Sequence, residues 1–262
     1  MKGNKQKNTD GEVKVKSSPM LALFGKIKDF YRNNVCNHKW RCAVCGKDVF
    51  GNDYVCDDCD NALPYLSKGD FCEHCGRKTK TAQKYCLTCK GVLTEVDKMR
   101  SVFNYEGVIV KLITDFKFKR AEYLSDFFSD ALYKLYQKEN FNPDIITYVP
   151  MLKKAIKKRG YNQTELLANA LSSKTGVDCA LLTEKVKDTS HQVGLKRKER
   201  FENLQGSIRV INRDLLKGKT VLIVDDVTTT GATAEVIAKK LKSGGSKRVY
   251  LLTVASVALI KE

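Results

Sequence analysis

The sequence predicts an α/β protein with a mainly parallel sheet covered by helices on both faces, preceded by a small cysteine-rich module. Apolar segments of strand length alternate with segments of helical periodicity from residue 99 to residue 257, and this alternation is typical of parallel sheets. The segment Val221 to Val224 is apolar without polar alternation, as expected for a strand buried on both faces. Eight of the ten cysteines form four CxxC pairs between residues 42 and 89, which sets that part of the chain apart.

The N-terminal part of the chain precedes the first CxxC pair. Residues 1 to about 18 are rich in lysine, asparagine and serine without periodicity, which predicts a disordered basic tail. In residues 19 to 34 the apolar side chains recur three or four positions apart, which predicts an amphipathic helix that packs on the protein itself, with a membrane surface as the alternative. We therefore assign residues 1–35 to the tail and helix, 36–95 to the cysteine-rich module and 96–262 to the α/β domain.

The cysteine spacing indicates two zinc sites. Zinc takes four thiolates tetrahedrally, and two CxxC knuckles separated by a loop supply them. Pairing in sequence order forms one site from the first two pairs and one from the last two, and interleaved pairing is also compatible with the spacing. The eight candidate ligands are Cys42, Cys45, Cys56, Cys59, Cys72, Cys75, Cys86 and Cys89.

The sequence of the α/β domain predicts strands and helices that alternate along the chain. A strand to about Tyr105 is followed by two amphipathic helices, and "NPD" then ends the second helix before another strand. The helical spacing after residue 233 ends at two glycines, and a final apolar segment completes the pattern. The predicted elements are helices at about 107–117, 120–138, 162–173 and 234–243, and strands at about 99–105, 145–150, 178–184, 221–224 and 248–257.

Net charge and the absence of export signals limit the classes of ligand and the location that we expect for the protein. Lys and Arg number 47 against 30 Asp and Glu, a formal net charge of +17, which favours polyanions such as nucleic acid, acidic lipid or phosphorylated metabolites. The sequence has no apolar run of about 20 residues and no apolar N-terminal stretch of the signal-peptide kind. We expect a cytoplasmic protein, with a peripheral place at the inner face of the membrane as a secondary expectation.

Two acids followed by a hydroxyl-rich loop mark the candidate functional site. Asp225 and Asp226 follow the apolar strand, and ligands of open α/β sheets bind beyond the carboxyl ends of the strands. The next residues lead into a helix, whose N-terminal amides bind anions. Paired carboxylates beside a phosphate loop suit a sugar phosphate, because the acids can accept hydrogen bonds from ribose hydroxyls or approach a magnesium ion. The candidate residues are Asp225, Asp226, Thr228, Thr229, Thr230, Gly231, Ala232 and Thr233.

This order of four hydrophobic residues, two acids and T-T-G-x-T resembles the phosphoribosyl pyrophosphate (PRPP) loop of type I phosphoribosyltransferases. The resemblance implies a sheet of the type I phosphoribosyltransferase kind, PRPP with magnesium as the ligand, and Asp225 and Asp226 as catalytic residues. A Walker B strand also ends in acids, but the chain contains no partner G-x-x-x-x-G-K-S/T motif. Catalytic triads, HExxH and dinucleotide-binding fingerprints are likewise missing.

The cysteine-rich module joined to this domain resembles the ComF family of competence proteins over about residues 40 to 257. The segments "FNYEGVIVKLITDFKFKR", "VPMLKKAIKKRGYNQTELLANAL" and "KVKDTSHQVGLKRKERFENLQGSI" carry the similarity. They imply a pyrophosphate loop and a flexible loop. The implied pyrophosphate-loop residues are Pro150, Arg159, Gly160, Tyr161, Asn162 and Gln163, and the flexible-loop residues are Lys185, Lys187, Thr189, Gln192, Arg200 and Asn203.

The chain departs from the family pattern at three basic positions. Ala155, Lys185 and Lys187 stand where the family often has arginine. Lysine keeps the charge but lacks the planar fork that binds phosphate with two parallel hydrogen bonds. The family's phosphate geometry is therefore not carried over at these positions.

Two function classes remain open at this point. The first is a ComF-like protein that binds PRPP with magnesium and single-stranded DNA, acts in DNA uptake for natural transformation, and has the competence helicase or uptake proteins as partners. Its basic stretch "KRKER" at 196–200 would follow the DNA backbone, and Trp40, Tyr161 or Phe201 would stack on bases. The second is an active phosphoribosyltransferase that moves ribose 5-phosphate from PRPP to a nitrogenous acceptor, with residues 185–203 closing over the pocket.

Overall fold

The computed structural model describes residues 41–49, 54–66, 70–77, 79, 81, 84–86, 89, 95–188, 204 and 206–258. The chain divides into two compact units, one formed by residues 1–42 and 46–56 and the other by residues 43–45 and 57–262. The predicted N-terminal tail and helix lie outside the described residues, as do Trp40, Phe201 and the 196–200 stretch. The domain boundaries drawn from the sequence stay a prediction.

In the smaller unit, a tight turn begins at Cys42. The amide of Gly46 donates to the Cys42 carbonyl at 2.9 Å, and the amide of Cys42 donates to the Lys47 carbonyl at 2.7 Å. Arg41 and Asp48 pair as a single antiparallel bridge beside this turn. The backbone thus has the form of a metal knuckle.

The larger unit contains the helices and strands of the α/β fold. The described helices are α1 (Asp57–Ala62), α2 (Gly107–Phe118), α3 (Leu124–Lys138), α4 (Lys153–Arg159), α5 (Gln163–Thr175) and α6 (Ala232–Ser243), with a 3₁₀ turn at Arg213–Leu215. The described strands are β1 (Lys98–Asn104), β2 (Ile145–Tyr148), β3 (Thr183–Lys185), β4 (Ile208–Val210), β5 (Thr220–Thr228) and β6 (Arg248–Ser256).

Four of the strands form one parallel sheet in the order β1-β6-β5-β2. Its central strands are buried because their apolar residues have no polar alternation: every residue from Val221 to Val224 is fully buried. Val221 and Ile223 share one core with α6, whereas Leu222 and Val224 turn to the other face of the sheet. Helices α3 and α5 pack against each other and against the sheet strands. The predicted fold class, a mainly parallel sheet with helices after a cysteine module, is confirmed.

Some element boundaries differ from the sequence prediction. The second helix begins at Leu124 instead of residue 120, because Arg120 has a left-handed backbone with φ 55°. The segment predicted as one strand at 178–184 is split: Cys179 forms a single parallel bridge with Ile146, and β3 pairs antiparallel with β4. A short helix, α4, occupies part of the predicted loop at 150–163. Within the described part of the chain, no helix is long and apolar enough to cross a membrane.

Candidate functional site

Among the described strands, the part of β5 that carries the two acids has a neighbour on only one side. The ladder between β2 and β5 ends where Tyr148 faces Val224, whereas the ladder between β5 and β6 continues to Thr228 opposite Ser256. The strand is therefore four residues longer than the predicted 221–224 segment at this end, and Asp225 and Asp226 lie within it. Their side chains occupy the carboxyl side of the sheet, past the end of β2.

Asp226 is held by two donors from different helices. Lys117 at the end of α2 places Nζ 2.8 Å from one carboxylate oxygen, and Gln163 at the start of α5 donates Nε2 to the other at 2.6 Å. Only 4% of Asp226 is exposed. Both oxygens are thus occupied by protein donors, so Asp226 organises the surrounding side chains. Sequence reasoning missed Lys117; its one signal was the Lys-rich end of the segment that carries the family resemblance.

Asp225 has a different environment. One of its oxygens accepts a hydrogen bond from the Asp226 amide at 2.8 Å. Burial, together with the negative charge of Asp226, raises the pKa of the Asp225 carboxyl to about 8. A cation brought next to this carboxyl would favour its ionised form. The pair therefore contains one carboxylate neutralised by the protein and one that is poised to respond to a charged ligand.

The phosphate loop connects β5 to α6. Its Thr229 and Thr230 side chains are exposed, and Gly231 adopts φ 84° immediately before the helix. A Cβ at Gly231 would lie 3.2 Å from Met99 Cε, so both the backbone angle and the close approach favour glycine. The first amides of a helix have no partner within the helix. Here the Ala232 amide donates a long hydrogen bond of 3.3 Å to Thr230 Oγ1 in its own loop. Amides at this position suit an anion.

The predicted pyrophosphate-loop residues fall into two groups. Arg159 ends α4, hydrogen-bonds Gln163 Oε1 and lies 5.1 Å from the Phe118 ring, so it connects to the acid pair through Gln163. Pro150 is buried, and Gly160 ends α4 in a left-handed conformation.

Tyr161 and Asn162 have structural contacts. Tyr161 is buried and donates its hydroxyl to the Phe116 carbonyl, which removes its ring from the surface where bases could stack. Asn162 caps α5 by accepting a hydrogen bond from the Thr164 amide.

Two predicted flexible-loop residues are described. Lys185 lies in β3, where burial lowers the pKa of its ammonium group, and Lys187 follows two residues later and is exposed. Thr189, Gln192, Arg200 and Asn203 lie outside the described residues. Strands β3 and β4 pair antiparallel and hold the two ends of this segment together.

A basic pocket of about 280 Å³ lies between β4 and the C-terminal half of α6. Its apolar lining comes from Ile208, Val210 and Val236. Four basic residues surround it: Arg209, Arg213, Lys239 and Lys240. Arg209 pairs with Glu184 at 2.6 Å, whereas the other three form no ion pair with any described residue. The pocket and the phosphate loop lie toward opposite ends of α6, a helix about 18 Å long.

The last two CxxC pairs form one set, called here the second set, as pairing in sequence order predicts. The four sulfur atoms of Cys72, Cys75, Cys86 and Cys89 lie within 4.8 Å of one another. The remaining candidate ligands, Cys42, Cys45, Cys56 and Cys59, then make up the first set. This grouping decides between the two pairings that the spacing left open.

The second set fits zinc in detail. Its sulfur contacts of 3.6 and 3.7 Å match the edge of about 3.8 Å of a tetrahedron with 2.3 Å zinc–sulfur bonds. The Cys86 amide also donates to Cys72 Sγ at 3.2 Å. Chiefly the hydrogen bond from Cys89, with a smaller contribution from the Arg77 charge, lowers the pKa of the Cys75 thiol to about 5. The hydrogen bond with Cys75 raises the pKa of the Cys89 thiol, and burial raises that of Cys72, so the fit of the set to zinc rests on the spacing of its four sulfur atoms.

Comparison with known proteins agrees with both modules. The family model of the phosphoribosyl transferase domain matches residues 130–259, and that of the double zinc ribbon domain matches residues 40–90. The chain is 27% identical to Competence protein F of Haemophilus influenzae over 224 residues, which cover 82% of this chain and 96% of that protein. It is 27% identical to Competence protein ComFC of Bacillus subtilis over 246 residues, 86% of this chain and 96% of that protein.

A third relative is the DNA utilization protein YhgH of Escherichia coli, 28% identical over 220 residues that cover 80% of this chain and 94% of that protein. These relatives are matched over nearly their whole length, across the cysteine module and the α/β domain together. The resemblance to the ComF family of competence proteins is thereby confirmed.

Proposed function

We propose that this protein binds PRPP with magnesium at the acid pair and phosphate loop, and acts in the uptake and handling of DNA during natural transformation. The observation that carries the proposal is the difference between the two acids. Asp226 is neutralised by Lys117 and Gln163, while Asp225 accepts one hydrogen bond, from the Asp226 amide, within the described part of the chain. The names of the relatives, competence and DNA utilization proteins, support the cellular role.

Different residues of the site would bind different parts of PRPP. The amides and hydroxyls of residues 228–233 would hold the 5′-phosphate, and Asp225 would accept hydrogen bonds from the ribose hydroxyls. Arg159, tied to the acid pair through Gln163, would face the pyrophosphate. Magnesium, when bound, would neutralise part of the pyrophosphate charge.

A thermal-shift titration tests the pocket. PRPP with magnesium should stabilise the wild type by about 2.7 kcal/mol at a ligand concentration one hundred times the dissociation constant. Asp225→Asn should remove this stabilisation. Asp214→Asn, which changes an exposed carboxylate in the 3₁₀ turn, is the matched control and should respond as the wild type does. A wild type without a shift at millimolar PRPP would rule out the pocket.

The alternative is an active phosphoribosyltransferase in nucleotide metabolism. It differs from a binding protein in one measurable product, the pyrophosphate released from PRPP in the presence of a nitrogenous acceptor. Release that depends on the acceptor and disappears in Asp225→Asn would favour the enzyme. Binding without release across a panel of bases would favour a PRPP-binding competence protein.

Single-stranded DNA is the second ligand that we propose, and the basic pocket beside β4 supports it. Three cations there have no carboxylate partner among the described residues, and apolar side chains form the lining. Polyanion backbones with unstacked bases suit such a mixture of charge and apolar surface. Binding of an oligonucleotide as a function of salt tests this part of the proposal.

A further inference from the structure

The knuckle of the second cysteine set is fixed against β1. Within the knuckle, the Gly76 amide donates to the Cys72 carbonyl at 2.8 Å and the Cys72 amide donates to the Arg77 carbonyl at 2.9 Å. Gly76 has φ 67°, and a Cβ there would lie 3.0 Å from the Met99 carbonyl oxygen. The turn that orients two of the four thiols therefore also fixes the backbone of Arg77.

The side chain of Arg77 reaches from this knuckle to the phosphate loop. It is 4% exposed, and its Nη2 donates a hydrogen bond to the backbone carbonyl of Thr229. In a planar trans peptide the C=O and the following N–H point in opposite directions. A bond that holds the Thr229 carbonyl toward Arg77 therefore turns the Thr230 amide away from the knuckle, toward the exposed side of the loop.

Two further contacts join the same parts of the fold. Met99, whose amide donates to the His74 carbonyl of the knuckle at 3.0 Å, lies under Gly231 of the loop. Glu235, in the first turn of α6, accepts a hydrogen bond from the Glu95 amide at 2.5 Å. The thiols of the second set belong to one hydrophobic core with Met99 and α6. The loop and the knuckle are thus parts of one packed structure.

The positive charge of Arg77 is consistent with its position between the second cysteine set and the phosphate loop. No carboxylate among the described residues forms an ion pair with it, and a buried unpaired charge is costly. Four thiolates with one zinc ion carry a formal charge of −2, and Arg77 follows the Cys75 knuckle by two residues. A metal-loaded cysteine set would compensate the charge of Arg77 and keep its side chain in place.

We infer that Arg77 is a positioning residue through which the second cysteine set, loaded with zinc, orders the phosphate loop for its ligand. This inference rests on the proposed PRPP site for its ligand, but the ordering of the loop is a property of the protein alone. Release of zinc from this set would weaken ligand binding at a loop that contributes no cysteine to the set.

The ligand arm of the test compares three variants of the full chain. Arg77→Met should retain the zinc content of the wild type and bind PRPP with magnesium at least tenfold more weakly. Arg77→Lys, which keeps a charge and a donor, should recover part of the affinity. Lys84→Met removes an exposed lysine from the same ribbon and should bind as the wild type does. Full affinity in Arg77→Met, with zinc content unchanged, would overturn the inference.

A second arm works without PRPP, so that failure of the proposed ligand leaves the inference testable. Hydrogen exchange of the amides in 229–233 should be faster in Arg77→Met than in wild type and Lys84→Met, at equal zinc content and with unchanged exchange in α3. The same amides should become faster when zinc is withdrawn from wild type, and withdrawal should add little in Arg77→Met. Equal protection of the loop in all variants would overturn the inference, whatever the result with PRPP.

Discussion

The ammonium group of Lys117 lies 2.8 Å from a carboxylate oxygen of Asp226, joining the end of α2 to β5 at the carboxyl side of the sheet. Asp226 is 6% exposed at its side chain and Lys117 is 22% exposed. The two acids that are adjacent in sequence therefore have unequal roles. Asp226 is a counter-ion of Lys117, whereas Asp225, the group with the raised pKa, is the acid that we propose for the ligand.

Removal of the lysine should destabilise the protein. Lys117→Met leaves a buried carboxylate with Gln163 as its remaining donor, and we expect a loss of roughly 2 kcal/mol in the free energy of unfolding, below the range for a fully buried pair because Lys117 is partly exposed. Urea denaturation gives the value. Lys111→Met, at an exposed lysine that pairs with Asp115, should change stability by less than about 0.5 kcal/mol. Asp226→Asn in the Lys117→Met background should restore part of the loss; an additive further loss would contradict this account.

Asp225 should make the protein less stable as the pH rises. Its folded pKa lies near 8, whereas an unfolded aspartate titrates near 4, so the folded state binds more protons between these values and stability falls across that window. The asparagine of Asp225→Asn does not titrate between pH 4 and pH 8, so this source of pH dependence is absent from the variant. We expect equal unfolding midpoints for wild type and variant near pH 4, and a variant more stable by at least about 1 kcal/mol at pH 8. Parallel stability curves for the two proteins would show that Asp225 has an ordinary pKa.

The sequence predicted the acid pair as a site but not the different contacts of its two members. Strand, double acid and threonine loop are consecutive, so local pattern alone placed them together. Lys117 and Arg77 reach the site from other elements, and the spacing of residue types does not predict their contacts. Gln163 was predicted through the family resemblance, but its hydrogen bond to Asp226 was not. Arg77 had only a weak local hint, an arginine directly after a knuckle glycine.

Element boundaries were missed for local physical reasons. The strand β5 continues to Thr228 because β6 supplies hydrogen-bond partners beyond the end of β2. A pattern of hydrophobic residues does not show which strand will be the partner. Helix α4 lies in a segment that the family resemblance implied to be a loop. Its sequence KKAIKKR has only two apolar residues, and the structure buries none of its residues. Pairing of the cysteines depended on the three-dimensional path of the chain, which the spacing left undetermined.

Zinc content should be two ions per chain. The loss of one site should differ from the loss of the other in its effect on the thermal stability of the α/β domain. Cys86 lies in the core shared with α6, so Cys86→Ser should lose one zinc ion and lower the thermal unfolding midpoint of the α/β domain. Cys45, whose thiol belongs to an exposed residue, offers the matched change: Cys45→Ser should also lose one ion, with a smaller shift. Elemental analysis and circular dichroism on the same samples give both values. Two ions retained in Cys86→Ser, or equal shifts in the two variants, would refute the assignment.

Single-stranded DNA should bind across the basic pocket, with an affinity that falls steeply as salt rises. Each phosphate neutralised contributes a log–log slope of about −0.7 for a single strand. Lys239→Ala with Lys240→Ala removes two cations of the pocket, so we expect a weaker affinity and a slope less steep by roughly 1.4 for an unstructured oligonucleotide. Lys134→Ala with Lys138→Ala removes the same charge from exposed positions on α3 and should leave the slope unchanged. If both double variants lose affinity equally, the net charge of +17 attracts DNA without a defined track, and negligible binding at low salt would rule out DNA as a ligand.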